Sequence, residues 1–166
     1  EILRIDKARD VALLKLESIP DDLEITTRPI RTDIPNVGED VYAIGNPASY
    51  KQGLRDTVSK GIVSGYREDM KVSGIRENFI QADVDVHGGN SGGMLTDEHG
   101  NIIGMSVLGI SMPESSYSTG LNYFIPIGEA LERLNIHHGK TSSGAEEYTD
   151  TPSMLENNNG PIKIVP

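Results

Sequence analysis

Apolar and polar residues alternate most clearly where Ile80, Ala82, Val84 and Val86 interleave with Gln81, Asp83 and Asp85. This is the period-two pattern of a strand with one buried face, and it predicts a strand from Phe79 to Val86. Shorter apolar runs at Val11 to Leu16, Val41 to Ile44, Met94 to Thr96 and Ile102 to Val107 read as further strands. Turn-forming clusters separate them: Ile19-Pro20-Asp21-Asp22, Asn36-Val37-Gly38-Glu39-Asp40 and Asp97-Glu98-His99-Gly100-Asn101. The runs on either side of the last cluster make a hairpin. One stretch keeps a different period: in Pro126 to Asn135, Ile127, Ala130, Leu131 and Leu134 follow i, i+3, i+4, i+7, with two glutamates among them. This predicts a short amphipathic helix. The chain is therefore expected to be all-β with one C-terminal helix.

From Gly139 to Gly160 the residues turn to Ser, Thr, Glu, Asn and Gly without apolar periodicity, the composition of a tail or linker. Ile162 to Val165 either adds an edge strand or begins a further segment. At 166 residues, 36% of them hydrophobic, the chain can bury one substantial core, and 18 glycines with 9 prolines suit a turn-rich β protein. No apolar run approaches the roughly 18 residues that a membrane span needs, and no signal-peptide pattern is present. A formal net charge of -10 opposes nucleic acid or an anionic membrane as the main partner. With no cysteine, disulfides and thiolate zinc sites are excluded. Adjacent His137 and His138 are weak evidence for a metal, so neither metal nor cofactor is expected.

Candidate chemistry lies in Gly88-Gly89-Asn90-Ser91-Gly92-Gly93, between the predicted strand and the hairpin. A serine hydroxyl attacks only when a base takes its proton and fixed donors receive the charge that develops on the substrate oxygen. Glycines let the backbone turn its amides inward and let a carbonyl approach. The same residues also make an ordinary loop. Upstream, Asp10-Val11-Ala12-Leu13-Leu14 leads an acid straight into an apolar strand.

That order and spacing resemble the chymotrypsin-fold serine peptidases, whose triad runs His, Asp, Ser along the chain; the handling of the proton by that triad is well established. The resemblance continues through Gly45-Asn46-Pro47, Ser59-Lys60-Gly61-Ile62-Val63-Ser64, Phe79-Ile80-Gln81-Ala82-Asp83 and Asn122-Tyr123-Phe124-Ile125-Pro126, covering about residues 5 to 135. The series is similar to the HtrA/Deg branch and its bacterial trypsin-like relatives. It implies a double antiparallel β-barrel: 1–45 as the remainder of the first barrel with the catalytic Asp, 46–138 as a complete second barrel with the nucleophile and the helix, and 139–166 as tail or linker. The resemblance further implies an extracytoplasmic or secreted setting.

It assigns Ser91 as nucleophile, Asp10 as the carboxylate that orients the base, and the amides of Gly89 and Ser91 as oxyanion donors. Asp6 is the local rival of Asp10, but Lys-Ala-Arg follows it, not a buried strand. Asn90 stands where zymogen-type trypsins carry an aspartate; it either shapes the oxyanion loop or merely tolerates an unusual turn. Substrate is an extended polypeptide added as a strand, with Leu108, Gly109 and Ile110 as the receiving edge. Asp85, Val86 and Tyr123 fall among the pocket walls. Asp85 stands where trypsins select Lys or Arg, although alternation puts it on a solvated face. Tyr50, Lys51 and Gln52 fall in a regulatory or substrate-facing loop.

One departure is plain. None of the nine residues before Asp10 is histidine, and all four histidines lie elsewhere: His87 and His99, on either side of Ser91, and the later pair. Either an upstream half supplies the base, which the unfilled edges of the first barrel favour, or the molecule is a silent relative that binds extended polypeptides.

Overall fold

The computed structural model describes residues 1–47, 56–72, 75–107, 122–138 and 162–164. Strands β1 (Ile2–Asp6) and β2 (Val11–Leu14) form an antiparallel hairpin. Six strands then close into a barrel in the order β3-β4-β5-β8-β7-β6: β3 (Asp40–Gly45), β4 (Thr57–Val72), β5 (Ile75–Ala82), β6 (Met94–Asp97), β7 (Ile102–Ser106) and β8 (Asn122–Pro126). Every pairing in it is antiparallel. Helix α1 (Ile127–Arg133) follows, and β9 (Ile136–His138) pairs in parallel with β10 (Ile162–Ile164).

Alternation along the strands divides the apolar residues between two cores. Val41, Ala43, Val63, Ile80, Ala82, Leu95, Ile103 and Phe124 point inward and fill the barrel. Their outward neighbours Phe79 and Ile125 join Val11, Ala130, Leu131, Leu134 and Ile136 in a second cluster, which docks the hairpin and the helix on the barrel wall. The helix follows Pro126 directly and ends where Leu134 N–H donates to Ala130 O and Asn135 N–H to Glu132 O. Asn135 there takes a left-handed φ of 52°, the conformation that closes many helices.

The all-β class, the β6–β7 hairpin and the helix match expectation, but three placements differ. Val41 to Ile44, expected in the first barrel, lie in β3 and belong to the closed one. β3 pairs on one side with β4 and on the other with β6, so its inward residues are buried by strands that follow it in sequence. The predicted strand from Phe79 to Val86 instead starts at Ile75 and ends at Ala82. Beyond Ala82 the regular ladder gives way to a doubled contact at Ile62 within β4: Asp83 N–H donates to Ile62 O and its Oδ1 accepts from Ile62 N–H at 2.6 Å. Val84 nevertheless stays fully buried in the barrel core. Gln81, expected on a solvated face, is buried because its Oε1 accepts from Arg67 Nε on the neighbouring strand.

The segment before β3 is tied to the barrel by Arg31. Its N–H donates to Ile102 O, and its guanidinium meets Glu39 at 2.8 Å and Asp97 at 3.5 Å. The Arg31 hydrogen bond, helped by the Asn36 amide, holds the Glu39 carboxyl at about 2 against the opposing effect of burial.

Two outcomes follow for stability. Phe124→Ala empties the centre of the barrel and should cost about 3–5 kcal/mol in urea unfolding; a loss below about 1 kcal/mol contradicts its place in the core. Because the folded Glu39 carboxyl titrates below its unfolded value, its contribution is complete above about pH 5 and is lost as pH falls towards about 2. The stability gap between the protein and Glu39→Gln should therefore narrow over that window, and a pH-independent gap contradicts the assignment.

Candidate active site

The glycine-rich turn is pinned at both ends. Asn90 N–H donates to His87 O at 3.0 Å, and Gly93 N–H donates to Asn90 O at 2.8 Å. Gly92 N–H donates to Ser106 O and Ser106 N–H to Gly93 O, both at 2.8 Å, so β7 clamps the chain just after Ser91. Gly89 and Gly92 have φ of 101° and 82°, values that an L side chain strains to adopt. Gly93 needs its small size for another reason: a Cβ there would collide with the Ile44 carbonyl of β3. Ser91 stands exposed on this fixed frame. Among the described residues, no hydrogen bond takes up the amide of Gly89 or of Ser91.

Asn90 turns inward. It is buried, and Gly45 lies so close that an added Cβ would sit 2.9 Å from Asn90 Oδ1. Asn90 is not among the residues with positive φ, so tolerance of an unusual turn does not explain it. Its Oδ1 and the Oγ of Ser106 in β7 are buried without a hydrogen-bond partner among the described residues.

Asp10 closes the β1–β2 turn, exposed and with a left-handed φ of 61°. Its local rival Asp6 builds that turn: Asp6 Oδ1 accepts from the N–H of Ala8 at 2.9 Å and of Arg9 at 3.0 Å. On the far side of Asp10, Val11 is buried in the second cluster, against which Met105 and Val107 also pack. Those two flank Ser106, whose backbone clamps the glycine-rich turn.

The sequence reading missed Arg9. In a polar run it reads as a solvated charge, yet only 4% of it is exposed. Its guanidinium donates to Asn78 O and to Glu129 Oε2, lies 3.7 Å from Glu77 Oε2, and sits 4.6 Å over the Phe79 ring. Burial pulls its pKa down, and Glu129 and Glu77 oppose that pull. Glu129 also accepts from Tyr66 OH at 3.1 Å and Asn78 Nδ2 at 2.6 Å, while Arg133 bridges Glu77 at 3.0 Å. Burial, reinforced by Glu129, pushes the Tyr66 phenol up to about 12. No short-range pattern announces this network, because its members come from the β1–β2 turn, β4, β5 and α1.

Residues 1–105 match the trypsin-like peptidase domain. The chain belongs to the trypsin-like peptidase family. Similar proteins include Protease Do-like 5, chloroplastic, of Arabidopsis thaliana, 33% identical over 136 residues, covering 81% of this chain and 41% of that protein. Serine endoprotease DegS of Haemophilus influenzae is 36% identical over 130 residues, 78% of this chain and 36% of its own. The solved HtrA-type protease AlgW with decapeptide shares 33% identity at a TM-score of 0.61, over 81% of this chain and 39% of that one. This trypsin-like peptidase chain thus has the chymotrypsin-type fold of the HtrA proteases and spans less than half the length of these relatives.

Around the glycine-rich turn, Asp85 is exposed, and its carbonyl accepts from Ser59 Oγ at 2.6 Å. Val86 packs half-buried on the barrel core. Asn122 Nδ2 donates to Val84 O at 2.7 Å and ties β8 to the segment entering the glycine-rich turn. Tyr123 faces the other way, edge-on to Phe79 with ring centres 6.0 Å apart. His87 is exposed, as is His99 in the β6–β7 turn. Leu108, Gly109 and Ile110 lie outside the described residues, as do Tyr50, Lys51 and Gln52. Among the described residues no group of three or more metal-ligating side chains is assembled.

The close approach at Gly93 and the open space at Gly88 make a matched pair. Gly93→Ala should lower stability by about 1–3 kcal/mol through overpacking, whereas Gly88→Ala should stay within about 0.5 kcal/mol. Thermal unfolding of both variants checks this, and equal effects contradict the tight seat of the turn.

Proposed function

We propose that this chain is the carboxy-terminal portion of a serine endopeptidase that cleaves peptide bonds through an acyl-enzyme at Ser91. The observation that carries the reading is the nucleophile turn: an exposed hydroxyl on a backbone clamped by Ser106, beside two amides that no group among the described residues takes up. In this reading the Gly89 and Ser91 amides receive the oxyanion as the Ser91 oxygen attacks the scissile carbonyl. The base is a histidine contributed from upstream of this chain; it takes the Ser91 proton and later gives it to the leaving amine. Asp10 orients that imidazole and offsets its positive charge.

The substrate is an extended polypeptide. The decapeptide in the similar AlgW structure supports this class of ligand, and Leu108 to Ile110 are the edge we assign to it. The exposed position of Asp85 favours the solvated-face reading over selection of Lys or Arg. The apolar residues Ile2, Ile5 and Leu14 exposed on the β1–β2 hairpin support a partner segment that completes the first barrel. By the same resemblance we place the protein outside the cytoplasm. Among the described residues no helix is long and apolar enough to cross a membrane.

The test is covalent labelling of the longer parent by a fluorophosphonate. Labelling should occur and should vanish in Ser91→Ala. A folded parent with its upstream segment that stays unlabelled overturns the peptidase reading and favours a silent polypeptide-binding module.

A further inference from the structure

Asp10 lies between two buried anchors. Val11 follows it with 3% exposure, in the cluster shared with Phe79 and Ile125, and Arg9 precedes it with 4%. A non-glycine residue in the left-handed region, as Asp10 is at φ 61°, is strained and persists when its surroundings over-determine it. Here the over-determination is visible. Arg9 N–H is bound by Asp6 Oδ1, while its guanidinium is held by the Asn78 carbonyl, Glu129 and the Phe79 face. Glu129 is itself held by Tyr66 and Asn78, so the contact is to a fixed carboxylate on α1 and not to a swinging one.

The arrangement is also costly to keep for stability alone. A guanidinium taken out of water loses solvation that its ion pairs only partly return, and Arg9 Nε has no hydrogen-bond partner among the described residues. Apolar side chains in place of the whole charged group would fill the space without that cost. What the guanidinium adds is direction: a planar fork meeting a carbonyl and a carboxylate fixes the backbone that carries it.

We infer that Arg9 is a positioning residue for catalysis: through its anchorage on Asn78 and Glu129 it fixes the turn that aims the Asp10 carboxylate at the imidazole. The inference rests on the proposed role of Asp10. It predicts that loosening Arg9 leaves substrate binding alone and weakens the support that Asp10 gives to the protonated base.

The experiment is done on the longer parent with Arg9→Met, Arg9→Lys and Asp10→Asn, using peptide hydrolysis and fluorophosphonate labelling. Arg9→Met should lower kcat by about tenfold or more with KM changed less than about twofold, the signature of an interaction realised in the transition state. The acid limb of its kcat/KM profile should move to lower pH, because an imidazolium less well supported by a carboxylate gives up its proton more readily. Arg9→Lys should recover part of the rate, and in an Asp10→Asn background Arg9→Met should add little, since both changes act through one group. Should Arg9→Met fail to fold, Glu129→Gln removes the partner's charge and should move the same pH limb in the same direction. A labelling parent whose folded Arg9→Met variant keeps its rate and pH profile, or whose two variants combine additively, overturns this inference alone. A parent that never labels overturns the peptidase reading, and this inference with it.

Discussion

Pairing of β3 with β6 closes the barrel, and the glycine-rich turn around Ser91 depends on that closure. β6 begins immediately after the turn, at Met94, which stands opposite Ile44 in the register. The same pairing brings the Ile44 carbonyl and Gly45 against the underside of the turn, and these contacts with Gly93 and Asn90 fit only because Gly93 and Gly45 carry no Cβ. β7, bonded to the other edge of β6, returns Ser106 to clamp Gly92 and Gly93. A serine on a loop is common; what is particular here is a serine whose flanking backbone is fixed by two neighbouring strands.

The outer cluster does for the strand after Asp10 what the barrel does for the turn that carries Ser91. Val11, Phe79, Ile125 and the helix residues Ala130 and Leu131 hold the β1–β2 hairpin on the barrel wall by burial, a force without direction. Direction comes from the charged layer beside it, where Arg9 and Arg133 meet Glu77 and Glu129. Glu129 also lies in the first turn of α1, where its charge complements the positive end of the helix. Packing and polar contacts together thus locate the strand that follows Asp10.

Much of this order is legible in the residues themselves. The period of 3.6 in Ile127 to Leu134 marks the helix because every residue on that stripe meets the same outer cluster. The β6–β7 hairpin is equally plain, since its turn chemistry is local. Legibility fails where the partner is distant. Val41 to Ile44 announce a strand, but nothing in them says which barrel will bury it. Gln81 has the polarity of a solvated position and is buried because Arg67, on the next strand, accompanies it. Arg9 looks solvated for the same reason: its partners are 69 and 120 residues away. The Gly-Asn-Ser-Gly turn and the Asp10 strand were readable as a possible pair from order and spacing, but not the inward seat of Asn90 or the clamp by Ser106.

Alternation and helical period suffice for the all-β class and the helix, because each reflects which side of a short segment avoids water; Ser91 stands out through its glycine-rich turn and the resemblance carried by motif order. The tertiary structure alone decided which strands close the barrel, where the ladder of β5 stops, and which charges are buried together. Those outcomes depend on hydrogen bonds and ion pairs between residues far apart in the chain, and a local pattern carries no record of the partner it will meet.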